Sequence, residues 1–488
     1  MARRTEQYLT SLIHELIKFD TETEWVEFKT NNCEPQLIGE YISALSNSAK
    51  LWERPYAYLI WGIDDVTHEI VGSDFNYRKE KRGNEELEAW LSRLLNPKIN
   101  FKFFEQEIDG KSVTILEIPN ADRKPTAFSG VEYIRVGTTK KNLKDYPDKE
   151  RELWQSFAST VYELRTYESN YTESQVLKQL NYQQYYQSLE LPVPDNSDKI
   201  IEDLIKDKML KRNDAGFYNL TNMGIILLSN DMNLYEGYSI HAVRVIWYKD
   251  NNRLETRSER VYSGGYLNSF EQIIDYLRTI LAQEIIEADM LRKQGTVYPL
   301  IALRELLANT LIHQSFERRG THPTIEIFSN RIEFVNPGAP LIAIERIIDT
   351  VPVSRNENIA GFMHRCGICE ERGSGYDKIV RATSQNKMLA PRIEVQDNQF
   401  TKVILLAKVP FAMTSRRERI STCYMQACLL YVNFESLSNA NLREVFGLTE
   451  KESYKTSRII KDALDEGLIK PVDPDTAPRY MRYIPFWA

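Results

Sequence analysis

Apolar positions recur every three to four residues over 6–19, which predicts an opening helix, and again over 37–49, where Ile38, Ile42 and Leu45 share one face. Between and after these helices the period changes. Residues 25–29 form a short strand-like run. Residues 56–63 (Tyr-Ala-Tyr-Leu-Ile-Trp-Gly-Ile) make a continuous apolar strand closed by Asp64-Asp65, and 112–118 and 131–136 alternate as half-buried strands do. This pattern predicts an α+β unit ending near residue 150. Residues 174–180, 182–189 and 199–209 then read as three short helices. A hairpin with a tight turn at 214–216 follows, a helix–helix–helix–hairpin order that predicts a winged-helix module.

Mixed α/β patterning returns over 235–410. Strands are expected at 241–248, 324–328, 331–335 and 400–409, a long helical stretch at 267–290, and a strongly periodic helix at 299–313. Residues 419–432, 439–446 and 449–466 read as a second set of three helices, stopped at Gly467 and followed by a strand at 480–484. The expected fold class is therefore multidomain α+β, divided as 1–152, 153–234, 235–411 and 412–488.

Length agrees with several cores, since 488 residues exceed what one core organises. The net charge of −7 excludes a protein coated in positive charge but leaves room for a local basic patch. Five scattered cysteines (Cys33, Cys366, Cys369, Cys423, Cys428) read as reduced thiols, and the Cys366–Cys369 pair lacks two further nearby zinc ligands. Neither a signal peptide nor an apolar run of the ~20 residues that span a bilayer is evident, so the expected location is the cytoplasm, with no membrane partner.

Candidate chemistry concentrates in two places. On the 299–313 helix, Glu305, Asn309 and His313 stand four residues apart and share a face. Magnesium keeps most of its waters, so one Asn carbonyl suffices as a protein ligand, and the carboxylate one turn earlier can orient an attacking water. The competing reading is an amphipathic helix with a solvated face. Later, Glu371-Arg372-Gly373-Ser374-Gly375 precedes a helical run, and glycines ahead of a helix N-terminus let backbone N–H groups approach a phosphate. Val335-Asn336-Pro337-Gly338 makes a tight loop after a strand.

In that order, Glu305-x3-Asn309-Thr-x2-His313, Asn336-Pro337-Gly338, Ser354-Arg355-Asn356 and Glu371-Arg372-Gly373-Ser374-Gly375 resemble the divergent GHKL ATPase domain of bacterial proteins described as predicted transcriptional regulators. The resemblance implies a GHKL-like α/β sandwich that binds ATP. It implies Asn309 as the Mg2+ ligand, Glu305 as general base, and Gly373 and Gly375 at the phosphates, with His313, Asn336, Gly338 and Arg355 lining the site. The DxGxG loop of ordinary GHKL enzymes is absent; Asn336 stands where they carry an adenine-reading Asp.

The second place is N-terminal. Glu22, Glu24 and Glu27 flank the 25–29 strand, and Asp64-Asp65 closes the next. If these strands pair, two or three carboxylates meet at one edge, an arrangement that holds a divalent ion and assists phosphodiester hydrolysis; surface charges and a plain turn are the alternative. Glu22-x4-Glu27-Phe28-Lys29, Ile60-Trp61-Gly62-Ile63-Asp64-Asp65 with Ile70-Val71-Gly72, and Tyr133-Ile134-Arg135-Val136-Gly137-Thr138 resemble the Schlafen AlbA-like domain. That resemblance implies Glu22, Glu27 and Asp65, with Asp64 as near rival, as a metal-dependent (Mg2+ or Mn2+) cleavage triad. Many bacterial relatives are described only as DNA-binding domains. The family's Ala-Asn-Thr-x-Gly-Gly stretch is altered here, with Ser46-Asn47-Ser48-Ala49 retaining part of it.

Lys29, Arg135, Lys140 and Lys141, with Tyr133, are candidates to follow a phosphate backbone. In the last block Lys455, Arg458, Lys461, Lys470, Arg479 and Arg482 surround the third helix and hairpin as a C-terminal winged helix requires. Together these readings predict an ATP-binding, nucleic-acid-binding regulator of DNA or RNA that forms a homo-oligomer. The alternative is an ATP-gated endonuclease acting on RNA such as tRNA, or on single-stranded DNA, in bacterial antiphage defence.

Overall fold

A computed structural model of the chain describes residues 4–19, 21–158, 161–286, 292–318, 320–369, 373–477 and 479–488. It is a multidomain mixed α/β protein whose backbone divides into two compact units. One comprises Met1–Thr172 and Leu210–Leu220, the other Glu173–Met209 and Thr221–Ala488. Among the described residues, no helix is long and apolar enough to cross a membrane.

In the first unit the helix Glu6–Leu16 starts where the Thr5 hydroxyl accepts the Tyr8 N–H at 3.2 Å, and it buries Tyr8, Leu9, Leu12, Ile13 and Leu16. A four-stranded sheet runs in the order Val26–Lys29, Tyr56–Trp61, Lys111–Pro119, Lys102–Ile108. Its first pair is parallel, as the crossover helix Pro35–Leu51 requires. The last two strands form a hairpin closed by Asp109-Gly110, both at positive φ. A second sheet joins Thr139–Asn142, Val131–Val136, Ala127–Phe128 and Leu95–Asn96.

The helix Pro35–Leu51 serves both sheets with different residues. Ile38, Ile42, Leu45 and Ala49 join the apolar core. Ser43, Ser46, Asn47 and Ser48, all fully buried, act as a polar seam. Asn47 donates to the Thr126 and Tyr133 carbonyls (2.9 and 2.8 Å), and its side-chain oxygen accepts the Thr126 N–H. Ser43 and Ser48 accept the N–H groups of Tyr133 and Arg135, both at 3.0 Å. A helix face thus takes the place of a neighbouring strand, and these buried backbone groups stay paired.

In the second unit a six-stranded sheet has the order Thr256–Tyr262, Val243–Tyr248, Thr324–Ile327, Arg331–Pro337, Phe400–Leu406, Arg392–Gln396. Its single parallel pair is Val243–Tyr248 with Thr324–Ile327. The helices Tyr266–Ile280 and Gly375–Gln385 each pack on Leu300–Ile312, which lies against Arg331–Pro337. Buried Glu326 and Glu333 carry an ion-pair ladder: Arg253 reaches both (2.5 and 3.2 Å), and Lys402 links Glu333 to Glu394 (3.7 and 2.9 Å).

The helix expected over 267–290 is shorter than its periodicity suggested. It ends at Ile280, and Ala282–Ile286 pairs antiparallel with Arg292–Thr296; residues 287–290 lie outside the described ones. The run Gln-Glu-Ile-Ile fits either period, so pattern alone does not choose between helix and strand there. The chain closes with helices Arg416–Val432, Asn439–Val445 and Ser453–Asp465 and the strand pair Ile469–Pro471 and Tyr483–Pro485. The first two of these helices start with capping boxes, Ser415 with Glu418 and Ser438 with Asn441.

Candidate functional site

The helix Leu300–Ile312 is apolar on nearly every side, with nine of its residues buried. Glu305 is therefore held away from solvent rather than on a solvated face, at 8% exposure. What receives it is a glycine. A Cβ built on Gly375 would stand 2.3 Å from Glu305 Oε1, so only a residue without a side chain fits beneath that carboxylate. Gly375 opens the helix Gly375–Gln385, and Ser374 at its N-cap makes no side-chain capping bond. The carboxylate of one helix and the N-terminal turn of another are thus juxtaposed. Asn309 lies one turn further along the first helix, half-buried, and His313 is exposed at its C-terminal end, its N–H bonded to the Asn309 carbonyl at 3.0 Å.

Two more segments border this helix end. Asn336 is buried on the strand Arg331–Pro337, and Gly338 follows at φ +110°. A Cβ on Gly338 would meet Arg355 Nη1 at 2.3 Å, and Arg355 Nη2 donates to the Ala339 carbonyl at 3.0 Å. Burial and the nearby Arg318 hold the Arg355 guanidinium below its ordinary pKa. Buried Asn356 donates to the carbonyls of Ile312 and Gln314 at 2.6 and 2.8 Å, closing the orphan end of the Glu305 helix. Gly373, at φ +74°, packs against Pro352, while Glu371 and Arg372 lie outside the described residues.

The residues present fit a nucleotide triphosphate with its magnesium. Half-buried Gly373 and Gly375 stand at a helix N-terminus where a methyl group does not fit, and Asn309 and Arg355 supply a neutral oxygen and a cation. When bound, such a nucleotide supplies a phosphoanhydride. The chain's own residues would bind its phosphates through Gly373, Gly375 and Arg355 and hold Mg2+ through Asn309.

In the first unit, the parallel pairing of Val26–Lys29 with Tyr56–Trp61 brings Glu27 into register with Leu59. Glu22 and Glu27 do meet, but around a cation. Arg135, wholly buried, pairs with Glu27 through Nη1 and reaches Glu22 at 3.5 Å through Nη2. Lys29 closes on the other Glu27 oxygen, and Glu22 also accepts the Phe28 N–H at 2.9 Å. Burial opposes ionisation of Glu27, yet Arg135 and Lys29 outweigh it and hold its carboxyl below the usual range. Burial, with the charge of Glu27 added, raises Glu22.

Asp65 lies exposed on the turn after the neighbouring strand, and Asp64 is occupied in that turn, accepting from the Val66 and Thr67 N–H groups at 3.0 and 2.8 Å. Among the described residues no group of three His, Cys, Asp or Glu is disposed to hold a metal. The expected trio of Glu22, Glu27 and Asp65 does not assemble, and the pair that does is answered by Arg135 and Lys29. These residues do not fit a divalent ion as they stand.

Arg135 is a correction as well. Expected to follow a phosphate backbone, it has no exposed surface, and its Nε–H finds no acceptor among the described residues. Lys140 is half-buried against Glu40, whereas Lys141 is exposed. Tyr41, which no sequence signal singled out, sits at the centre: Lys29, Arg135 and Lys140 lie 5.5, 5.8 and 5.0 Å from its ring. Cys366 and Cys369 are half-buried thiols, the former pushed up to about 12 by burial.

Comparison with known proteins adds two family matches. Residues 22–144 match the family described as Schlafen, AlbA_2, and residues 320–405 match the one described as putative ATP-dependent DNA helicase recG C-terminal. No curated protein matches the chain. Among solved structures, the DIP2311 protein of Corynebacterium diphtheriae is 14% identical over 99% of this chain and 97% of its own, with a TM-score of 0.42. The N-terminal domain of a putative ATP-dependent DNA helicase RecG-related protein from Nitrosomonas europaea is 22% identical over 28% of this chain and 93% of its own, with a TM-score of 0.20. The chain accordingly carries a Schlafen AlbA_2 domain in its first unit and a recG C-terminal-type ATPase domain in its second.

Proposed function

We propose that the protein is a nucleic-acid-associated ATPase of the regulatory kind, in which nucleotide held by the second unit conditions the protein's grip on DNA or RNA. The observation that carries this reading is the seat of Glu305 on Gly375, which brings a buried carboxylate to the first turn of a helix. That turn offers phosphates its N–H groups, and Glu305 orients the attacking water where hydrolysis occurs. The pairing of Glu22 and Glu27 with buried Arg135 favours holding nucleic acid over cutting it, because a neutralised pair has little charge left for a divalent ion.

The four-module division at 152, 234 and 411 belongs to this reading, with the last module a winged helix. Exposed Tyr454, Arg458 and Lys461 on the helix Ser453–Asp465, with Arg479, Tyr480 and Arg482 on the following hairpin, present a cationic and aromatic face to a duplex.

The test uses the full-length protein. Calorimetric titration with ATP and Mg2+ is expected to show binding that Asn309→Ala weakens, and labelled DNA and RNA are expected to bind with an affinity that ATP changes. The nuclease alternative is favoured only by the meeting of Glu22 and Glu27. Cleavage of tRNA or single-stranded DNA in Mg2+ or Mn2+ that Glu27→Gln abolishes would establish it and overturn the regulator reading.

A further inference from the structure

Between Gly338 and Gly373 the chain makes one excursion, residues 339–352, before the helix Glu357–Arg365. Its two ends rest on the glycines that frame the nucleotide site. Arg355, stacked on Gly338, holds the Ala339 carbonyl at 3.0 Å, and Pro352 lies 2.8 Å from where a Cβ on Gly373 would stand. Its middle is a single turn, Ile344–Arg346, stiffened by the pairing of Arg346 with Asp349 and by the Thr350 hydroxyl on the Arg346 carbonyl at 2.7 Å.

That turn is pinned from the C-terminal side. Tyr424, on the helix Arg416–Val432, donates its hydroxyl to the Glu345 carbonyl at 2.5 Å. Trp487 donates its indole N–H to the same hydroxyl at 3.1 Å, and the Arg346 guanidinium stands 4.5 Å over the Trp487 ring. The other wall of the site ends on the same helix. Gly375–Gln385 runs alongside it, with Ser384 bonded to Gln426, and Arg381 to Asn433 just past its end at 3.3 Å. Both sides of the nucleotide site therefore terminate on Arg416–Val432, which in turn packs against Ser453–Asp465 and Tyr483–Pro485.

We infer that residues 339–352 are a relay, with Tyr424 and Trp487 as positioning residues that pass nucleotide occupancy to the C-terminal module. The inference rests on the nucleotide reading above. A ligand shifts a structure only through contacts that differ between states. Phosphates entering between Gly338 and Gly373 meet Arg355 and Pro352 first, and those two residues hold the ends of the segment that Tyr424 grips in its middle.

Hydrogen exchange of the full chain with and without ATP and Mg2+ tests this. In the unaltered protein, ATP is expected to slow exchange over 339–352 and also over 453–485. In Tyr424→Phe, ATP affinity stays within about threefold while the slowing over 453–485 falls by about half or more. Arg346→Gln, a half-exposed change on the segment itself, is expected to do the same and guards against misfolding of the helix variant. Undiminished slowing over 453–485 in both variants overturns the relay. ATP binding without any C-terminal response in the unaltered protein overturns the relay alone, and absence of ATP binding overturns the nucleotide reading and the relay with it.

Discussion

Glu27 and Glu305 are both buried carboxylates drawn from recognisable motifs, and the two sites give them opposite company. Glu27 is locked between Arg135 and Lys29, so its charge is spent inside the protein. Glu305 sits on a glycine at the start of a helix, so close that no side chain fits there. Burial raises the cost of a charge in both places; at Glu27 it is answered by two cations, and at Glu305 the carboxylate lies against the first turn of a helix. A motif thus tells which residue types are present, and the neighbours decide whether they are scaffold or chemistry.

The comparison breaks most readily at Arg135. Arg135→Met leaves two partly buried carboxylates facing each other and is expected to destabilise the protein by about 3–5 kcal/mol, the usual cost of removing one partner from a buried ion pair. Denaturant unfolding measures it, and Glu27→Gln in the same chain should restore part of the loss. A cost below about 1 kcal/mol would mean that Arg135 is not what satisfies the carboxylates.

The second unit offers a buried ionisable group whose charged form burial disfavours. Burial, then the charge of His322, lowers His241 to about 4 from 6.5. Because the folded state binds this proton more weakly, the stability it contributes is complete above pH 6.5 and is lost as pH falls towards 4. The loss amounts to about 3 kcal/mol. Thermal unfolding across that window should flatten in His241→Gln; an unchanged profile assigns the acid sensitivity elsewhere.

Gly375→Ala sharpens the contrast from the nucleotide side. The new methyl carbon would stand 2.3 Å from Glu305 Oε1, so either the carboxylate or the helix start must move. Overpacking of this kind costs about 1–3 kcal/mol, and ATP affinity is expected to fall about tenfold or more in a calorimetric titration. Undiminished affinity would separate the glycine from the phosphates.

Much of this architecture was legible in the chain because local period and burial agree in it. The strand 131–136 and the helix Leu300–Ile312 lie where their apolar spacing put them. The strand Lys102–Ile108 was missed because its register is set by a partner across the Asp109-Gly110 turn, and its own sequence alternates weakly. At the sites, spacing found Glu22, Glu27, Glu305 and the glycines, since these lie close in sequence or on one helix face. It failed for Arg135 and Tyr41. A basic residue in a strand looks the same whether its side chain meets solvent or a buried carboxylate 108 residues away, and only the fold brings Tyr41 to that spot. Ser46-Asn47-Ser48, read as a motif remnant, turns out to staple a strand.

Lys140 and Lys141 carry the smallest effect and the finest form of the comparison, because they are neighbours on one strand. Lys140 is paired with Glu40 beneath Tyr41 and Tyr133, so its charge is already answered, while Lys141 points to solvent. If the first unit holds nucleic acid through surface cations, Lys141→Ala should weaken binding about threefold regardless of sequence and lower the salt dependence by about one counterion. Lys140→Ala should instead release Glu40, altering stability more than the salt slope. Equal salt slopes for the two variants in a binding titration would show that pairing within the fold does not decide which cations reach the phosphate backbone.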